Sequence, residues 1–478
     1  METIYVNDNA VAVINKVTAN IEEQGESVNV SDSSSATELV TALNGVFEGV
    51  EGAVELSQSD NAADFVEDLN DNFAALENSA ASFKMSFLHA SDPHGSTAFT
   101  TKMSNDMAMD DEIVFSLISG DFKAYGTNSP LLYYDAANDT GALKNVMRWG
   151  VVLGTSGNHD SYDMWSDGDG ITNSRMKNWL YDLMGDSVIW GDTDGQTNEP
   201  LQSAYYYKDF TKEGHTLRVI ALDQYEIDAV GGATNRYYYQ RYSQKQLNWF
   251  INLLKTTPSA YHIVVVMHQP PFDDNDYVSE IKPSPDTVGG STYINTPTRL
   301  LFCSEKMGTG AFREYSAIPW MNTIVNIVKA YLGFDGASRT YTEQFQNIGS
   351  TAFSLSADFT GVTPAIFCGY VFGHLHCDIA TWLPYSSYGE NKELYPRQLI
   401  LGITAADRDV PLAGGDDLND ATVNTTYRIN KVTIEFGSEG RDSSVVVERI
   451  GTRLTDGGRN RHKVRYWLNA SQTVQDLS

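Results

Sequence analysis

The chain has 478 residues, 41% of them apolar and 11% aromatic. That is too long for one ordinary core and apolar enough to fold as two or three domains. A formal net charge of -29 argues against a role in coating nucleic acid, which needs a basic footprint. It leaves a phosphorylated substrate open, because bound divalent cations reverse the local field.

Three cysteines, Cys303, Cys368 and Cys377, are too few for a disulfide framework. Cys368 falls in an apolar strand and reads as core. No apolar run approaches the roughly 18 residues of a membrane span. The opening Met-Glu-Thr-Ile-Tyr-Val-Asn-Asp lacks a charged n-region and an apolar h-region, so no signal peptide is expected.

Residues 1–82 carry a repeat with a spacing of 26 residues: Asp8-Asn9-Ala10, Ser34-Ser35-Ala36 and Asp60-Asn61-Ala62 align. Apolar positions follow in step, Val13 with Leu39 and Phe65, and Val17 with Leu43 and Leu69. Their spacing marks one face of a helix, and each polar cluster supplies an N-cap. Short amphipathic helices bury little alone. They are expected to pack on the main body, on a partner, or across a homo-oligomer as a docking module.

From Phe83 to the end, apolar strands separated by helices predict an α/β domain over 83–478. The strands expected are Phe83–Ala90, Ile113–Ser119, Gly150–Leu153, Leu217–Leu222, His262–Met267 and Ile366–Phe372. Helices are expected at Ser174–Leu183, at Ser243–Leu254 with Ser243 as cap, and at Trp320–Leu332. About a hundred residues separate His268 from His374, more than a strand-to-helix connection needs. The stretch at about 272–365 reads as a cap shaping substrate access. Beyond about residue 398 the pattern is β-rich, with Ile429–Phe436 and Ser444–Ile450 as a hairpin.

Polar motifs follow five of these strands: Asp92-Pro93-His94, Gly120-Asp121, Gly157-Asn158-His159-Asp160, His268, and Gly373-His374-Leu375-His376. Five of the nine histidines fall in them. Asp92 and His94, two apart at a strand end, point to one side and can share one ion. Asp121 offers two oxygens that can bridge two ions, Asn158 a neutral oxygen, and His268, His374 and His376 neutral imidazoles. This mixed nitrogen and oxygen set suits Mn, Fe, Zn or Ni and lacks the thiolates of structural zinc. Taken singly, Asp121 reads as a strand-ending turn and His268 as a core histidine; it is their joint occurrence that points to a site. His89, His215, His262 and His462 carry no motif, and His89 reads as structural.

In order and spacing these five blocks resemble those of the calcineurin-like metallophosphoesterases, over roughly Phe83 to Asp378. The resemblance implies a four-layer αββα sandwich with the site at the strand ends. It implies two divalent metal ions, one held by Asp92, His94 and His376 and the other by Asn158, His268 and His374, with Asp121 bridging. A hydroxide shared by the ions would attack phosphorus in line, His159 would stabilise or protonate the departing oxygen, and Asp160 would orient His159. Family members often carry an acidic or amide residue three positions after the Gly-Asp aspartate, or a tyrosine ligand in purple acid phosphatases. Here that position is Ala124 and Tyr125 is one further on, so no tyrosine ligand is expected.

The expected activity is hydrolysis of phosphate esters, diesters favoured over monoesters. The alternative is a structural or docking protein whose phosphoesterase-like domain binds ligand without turnover. Residues Ala63 to Leu76 resemble leader segments of gut-bacteriophage tail-associated proteins, which implies docking to a virion through residues 1–82 and a virion-associated or cytoplasmic location.

Overall fold

The computed structural model of the chain describes residues 83–92, 98–122, 142–157, 160, 173–225, 242–269, 286–288, 291–293, 302–303, 323–333, 339–345, 353–373, 379–382, 399–402, 429–437, 443–450, 463–468 and 475–477. The helical repeat expected over 1–82 lies outside the described residues, as do most of 272–322 and the leader-like segment.

Backbone packing divides the chain into two units, Met1–Lys84 with Glu435–Ser443, and Met85–Ile434 with Ser444–Ser478. In the described part of the first, Phe83 meets Phe436 with ring centroids 5.4 Å apart, and Lys84 lies 3.6 Å from the buried Glu435 carboxylate.

The described strands run in chain order as β1 (Phe83–Ala90), β2 (Ile113–Ile118), β3 (Val151–Gly154), β4 (Ile189–Trp190), β5 (Tyr206–Lys212), β6 (His215–Ala221), β7 (His262–Val266), β8 (Asp286–Val288), β9 (Ser291–Tyr293) and β10 (Phe302–Cys303). They continue as β11 (Thr340–Phe345), β12 (Phe353–Asp358), β13 (Ile366–Phe372), β14 (Ile379–Trp382), β15 (Leu399–Gly402), β16 (Ile429–Phe436), β17 (Ser444–Ile450), β18 (Lys463–Trp467) and β19 (Gln475–Asp476). The described helices are α1 (Ala98–Met109), α2 (Ala142–Met147), α3 (Asn173–Met184), α4 (Gln244–Thr256) and α5 (Thr323–Leu332).

One sheet has seven strands in the order β19-β18-β17-β16-β1-β2-β3, the other eight in the order β10-β14-β15-β13-β7-β6-β5-β4. The centres of both are parallel: β1, β2 and β3 in the first, and β15, β13, β7 and β6 in the second. Parallel strands covered on both faces need near-continuous apolar runs, and Ile-Val-Val-Val of β7 and Val-Phe-Ser-Leu-Ile of β2 supply them.

Alternation along β2 shows how the layers stack. Phe115 stacks on Phe210 of β5 in the other sheet, centroids 4.3 Å apart. The next residue, Ser116, points the opposite way and donates to the Met107 sulfur of α1 at 2.9 Å. The two sheets therefore face each other, with helices on their outer faces. A second core lies outside the eight-stranded sheet, where Leu247, Phe250 and Leu254 of α4 and Ile324, Ile327 and Val328 of α5 cover Ile263 and Val265 of β7 and Tyr370 of β13. Leu355 and Phe359 join it, so the described end of the 272–365 segment contributes core.

The Ser243 cap is present: its side chain accepts the Gln246 N–H and α4 follows. Other boundaries shift slightly. β3 starts at Val151 because Gly150 is a bend, where a Cβ would stand 2.5 Å from the Met107 methyl.

His262 opens β7 fully packed. Burial, with neighbouring His215 acting in the same direction, lowers its pKa to about 3. The unfolded chain then binds a proton that the folded chain refuses, so the stability from a neutral His262 is complete above its unfolded pKa and is lost as pH falls from about 6.5 towards 3. Replacing His262 by Gln is expected to flatten the pH dependence of urea unfolding in that window by up to about 1.4 kcal/mol per pH unit. Identical slopes in the two chains would contradict it.

Candidate metal centre

The carboxyl ends of the parallel strands from both sheets meet. Beyond the ladders their backbones stay joined: Asp92 N–H to Gly120 O at 3.1 Å, Thr155 N–H to Ile118 O at 3.2 Å, Gly373 N–H to His268 O at 2.8 Å. Ends of parallel strands are where open α/β sheets leave a crevice. Here the crevice is lined by three fully buried side chains, Asp92, Asp121 and His268.

One donor atom from each of the three lies within 4.8 Å of the others. The His268 Nε2 is 3.2 Å from Asp121 Oδ2 and 4.0 Å from Asp92 Oδ1. On the other side of the ring, His268 Nδ1 is 2.7 Å from the Ser119 carbonyl. A carbonyl only accepts, so Nδ1 carries a hydrogen, and the nitrogen facing the carboxylates is the one that would give its lone pair to a metal in exchange for its proton. Burial disfavours a charged ring, but Asp121, by charge and hydrogen bond, then Asp92 and the Ser119 carbonyl, outweigh it and lift the His268 pKa to about 9.

Ser119 organises this edge. Its carbonyl also accepts from the Ser91 hydroxyl at 3.1 Å, and its own hydroxyl is 2.8 Å from His89 Nε2. His89, read as structural from the sequence, is thus a buried prop of the residue that orients His268. Burial lowers its pKa to about 3 against the opposing pull of Asp92, so the prop is neutral.

Both aspartates hold an unusual backbone, Asp92 at φ 50° and Asp121 at φ 57°. This left-handed region is uncommon outside glycine, and Asp and Asn are the side chains that tolerate it best. Glycines leave the room. A Cβ on Gly157 would fall 2.1 Å from Asp121 Oδ1, and one on Gly120, itself at φ 95°, would fall 2.6 Å from His268 Nδ1. The glycines of these two motifs are there because a carboxylate and an imidazole occupy the space a side chain would take.

Two carboxylates and one imidazole, buried together with the imidazole tautomer fixed, form a donor set that fits a divalent cation. Of the seven ligands expected from the sequence, Asp92, Asp121 and His268 are brought together; His94, Asn158, His374 and His376 lie outside the described residues, as do His159, Ala124 and Tyr125. Asp160 is buried and accepts the Gly157 N–H at 2.8 Å.

Sequence reasoning passed over Asp223-Gln224. These residues follow β6 as the other polar motifs follow their strands, and that position was the available signal. The Asp223 carboxylate accepts from the Ser156 hydroxyl at 2.8 Å and from the backbone of Ala204 and Tyr225. Burial raises its pKa despite those bonds, and Asp192 adds to the rise.

Residues 85–289 match the family model described as calcineurin-like phosphoesterase. No curated protein matches the chain in sequence. Among solved structures, the purple acid phosphatase PPD1 of yellow lupin (Lupinus luteus) seeds is similar at 10% identity and a TM-score of 0.38, over 84% of this chain and 58% of that one. The NAD nucleotidase of Haemophilus influenzae is similar at 12% and 0.31, over 83% and 54%. The phosphopantetheinyl hydrolase of Mycobacterium tuberculosis is similar at 10% and 0.33, over 67% and 90%. The chain thus spans little more than half the length of the first two. No described helix is long and apolar enough to cross a membrane. The matched span, residues 85–289, is the part of the chain in which β1, β2 and β7 lead to Asp92, Asp121 and His268 in one buried cluster, and it is this span that is similar to the calcineurin-like phosphoesterase family.

Proposed function

We propose that the protein is a metal-dependent hydrolase of phosphate esters that favours diesters over monoesters. The observation that carries this reading is the convergence of Asp92, Asp121 and His268 with the His268 ring locked against Ser119. Asp92, His94 and His376 would hold one divalent cation, Asn158, His268 and His374 a second, and Asp121 both. Bound there, the pair supplies Lewis-acid polarisation of the phosphoryl oxygens and a more acidic attacking water.

The protein's own part is to keep the donors rigid and the pocket dry. Asp121 and Asp92 provide the negative field, and the Ser119 carbonyl fixes which His268 nitrogen faces them. Asp160, which accepts the Gly157 N–H, would orient His159, to which we assign the proton given to the departing oxygen. The diester preference draws on the cations. Of the buried basic side chains among the described residues, Arg218 forms a two-pronged pair with Asp209, and Lys177 donates to the carbonyls of Pro200 and Leu201. Neither is offered to the second negative charge of a monoester.

Apo-protein reloaded with Mn, Zn, Ni or Fe is expected to release nitrophenol faster from bis-p-nitrophenyl phosphate than from p-nitrophenyl phosphate. His159→Ala is expected to lower kcat by about a hundredfold, the scale of a general acid, with metal content unchanged. A monoester excess would overturn the diester preference, and a wild-type rate in His159→Ala would overturn the assigned proton donor. Two ions bound per chain with no release from either ester would favour ligand binding without turnover.

A further inference from the structure

Gln224 is fully buried just beyond β6 and turns its side-chain amide onto the backbone of the His268 segment. Its Oε1 accepts the N–H of His268 at 2.9 Å and that of Gln269 at 2.6 Å. Its Nε2 donates to the Gln269 carbonyl at 3.1 Å. A strand end cannot satisfy these groups through its ladder once β7 has stopped, and buried backbone groups without partners are costly. One amide answers three of them and fixes where the His268 Cα stands.

The same device recurs one step back. Gln246, in the first turn of α4 and also fully buried, accepts the Asp223 N–H at 2.8 Å and donates to the Asp223 carbonyl at 2.9 Å. Between the two amides, the Asp223 carboxylate takes the Ser156 hydroxyl at 2.8 Å, two residues before Asn158. Two glutamines in series therefore tie the core-packed helix α4 to His268, and the residue between them ties the same support to Ser156.

We propose that Asp223 and Gln224 are positioning residues for the His268 side of the metal centre, holding His268 and the Ser156 strand end to the same support. The inference rests on the metal-hydrolase reading above and deepens it. Neither residue need touch a metal. Loss of the Gln224 amide should weaken one metal-binding step and leave the other, because Asp92 on β1 has its own support in the Gly120 backbone.

Titration of the full-length apo chain with Mn²⁺, following free Mn²⁺ by electron paramagnetic resonance, tests this. Wild type is expected to show two binding steps. Gln224→Met keeps the volume and removes all three hydrogen bonds; it should weaken one step by about 10- to 100-fold, the usual cost of losing a ligand's supporting partner. Gln224→Glu keeps the accepting oxygen and should restore most of that loss. Gln224→Asn retracts the amide by one methylene, and serves if the Met chain does not fold. Leu254→Ala, in the core around α4, should destabilise the fold without changing either step. Wild-type affinities in Gln224→Met or Gln224→Asn, or equal weakening of both steps, would overturn the inference while leaving the metal centre intact. A wild-type chain that binds no Mn²⁺ would remove both.

Discussion

Replacing Asp121 by Asn is expected to reduce metal-dependent phosphodiester hydrolysis by about a thousandfold or more, given that losing even one electrostatic partner of the transition state costs about 10²–10³ in kcat. Asn is the informative substitution because of the backbone. At φ 57° an alanine would add strain of about 1 kcal/mol, and a dead enzyme could then be blamed on a displaced loop. Asn tolerates the same conformation, fits the same space against Gly157, and removes one thing, the negative charge. That charge is 3.2 Å from His268 Nε2. Metal content by mass spectrometry should fall with activity, and the thermal midpoint of the metal-free chain should stay near wild type. An Asp121→Asn chain with full metal and wild-type turnover would rule out Asp121 as the bridging ligand.

The second large effect is steric. A Cβ on Gly373 would stand 1.7 Å from Ser91 Oγ, 2.6 Å from Ser91 Cβ and 2.5 Å from Asp92 Oδ2. Rotating the serine hydroxyl clears only the first of these, so the backbones of β1 and β13 must part just where they deliver ligands. Gly373→Ala is expected to cost about 3 kcal/mol, at the upper end for overpacking a tight site, and to lower metal occupancy. Gly361→Ala is the control: it has φ 75° and open space around it, so only the left-handed penalty of about 1 kcal/mol applies. Adding Ser91→Gly to Gly373→Ala should return more than about 1 kcal/mol as coupling between neighbours. Equal urea midpoints for Gly373→Ala and Gly361→Ala would show that the strand ends are looser than these distances require.

Much of this was readable from the chain, for reasons that differ by element. β7 and β13 are largely apolar runs between polar turns, and α4 announces itself with Ser243 and one apolar face, so local pattern is enough. β5 was missed. Tyr-Tyr-Lys-Asp-Phe-Thr-Lys mixes charge into a strand next to the sheet edge, and its hairpin to β6 turns through Glu213 at φ 51° and Gly214 at φ 85°, without the Asn-Gly that usually marks such a turn. α1 was missed because Ala-Phe-Thr-Thr-Lys-Met-Ser-Asn-Asp-Met-Ala-Met has no clean apolar stripe.

At the site, Asp92, Asp121 and His268 were legible because donors that bind metal must be of a few residue types. Ser119 and Gln224 were not. Ser119 acts on His268 through a backbone carbonyl, which any residue possesses, and Gln224 acts on backbone N–H groups, which leave no mark on the sequence they hold. Asp160 was legible as a residue, and what the structure adds is its bond to Gly157.

The hydrogen bond from His268 to Ser119 closes a separation of 149 residues, and the one from Ser156 to Asp223 closes 67. Contacts of that span are made late in folding, after the loops they close have already lost their entropy. A metal ion gains little from one carboxylate and needs several donors at once, so it has almost nothing to hold until both sheets are built and their ends have met. An ion bound there would be a latecomer to a finished frame, and its uptake would mark the completion of folding.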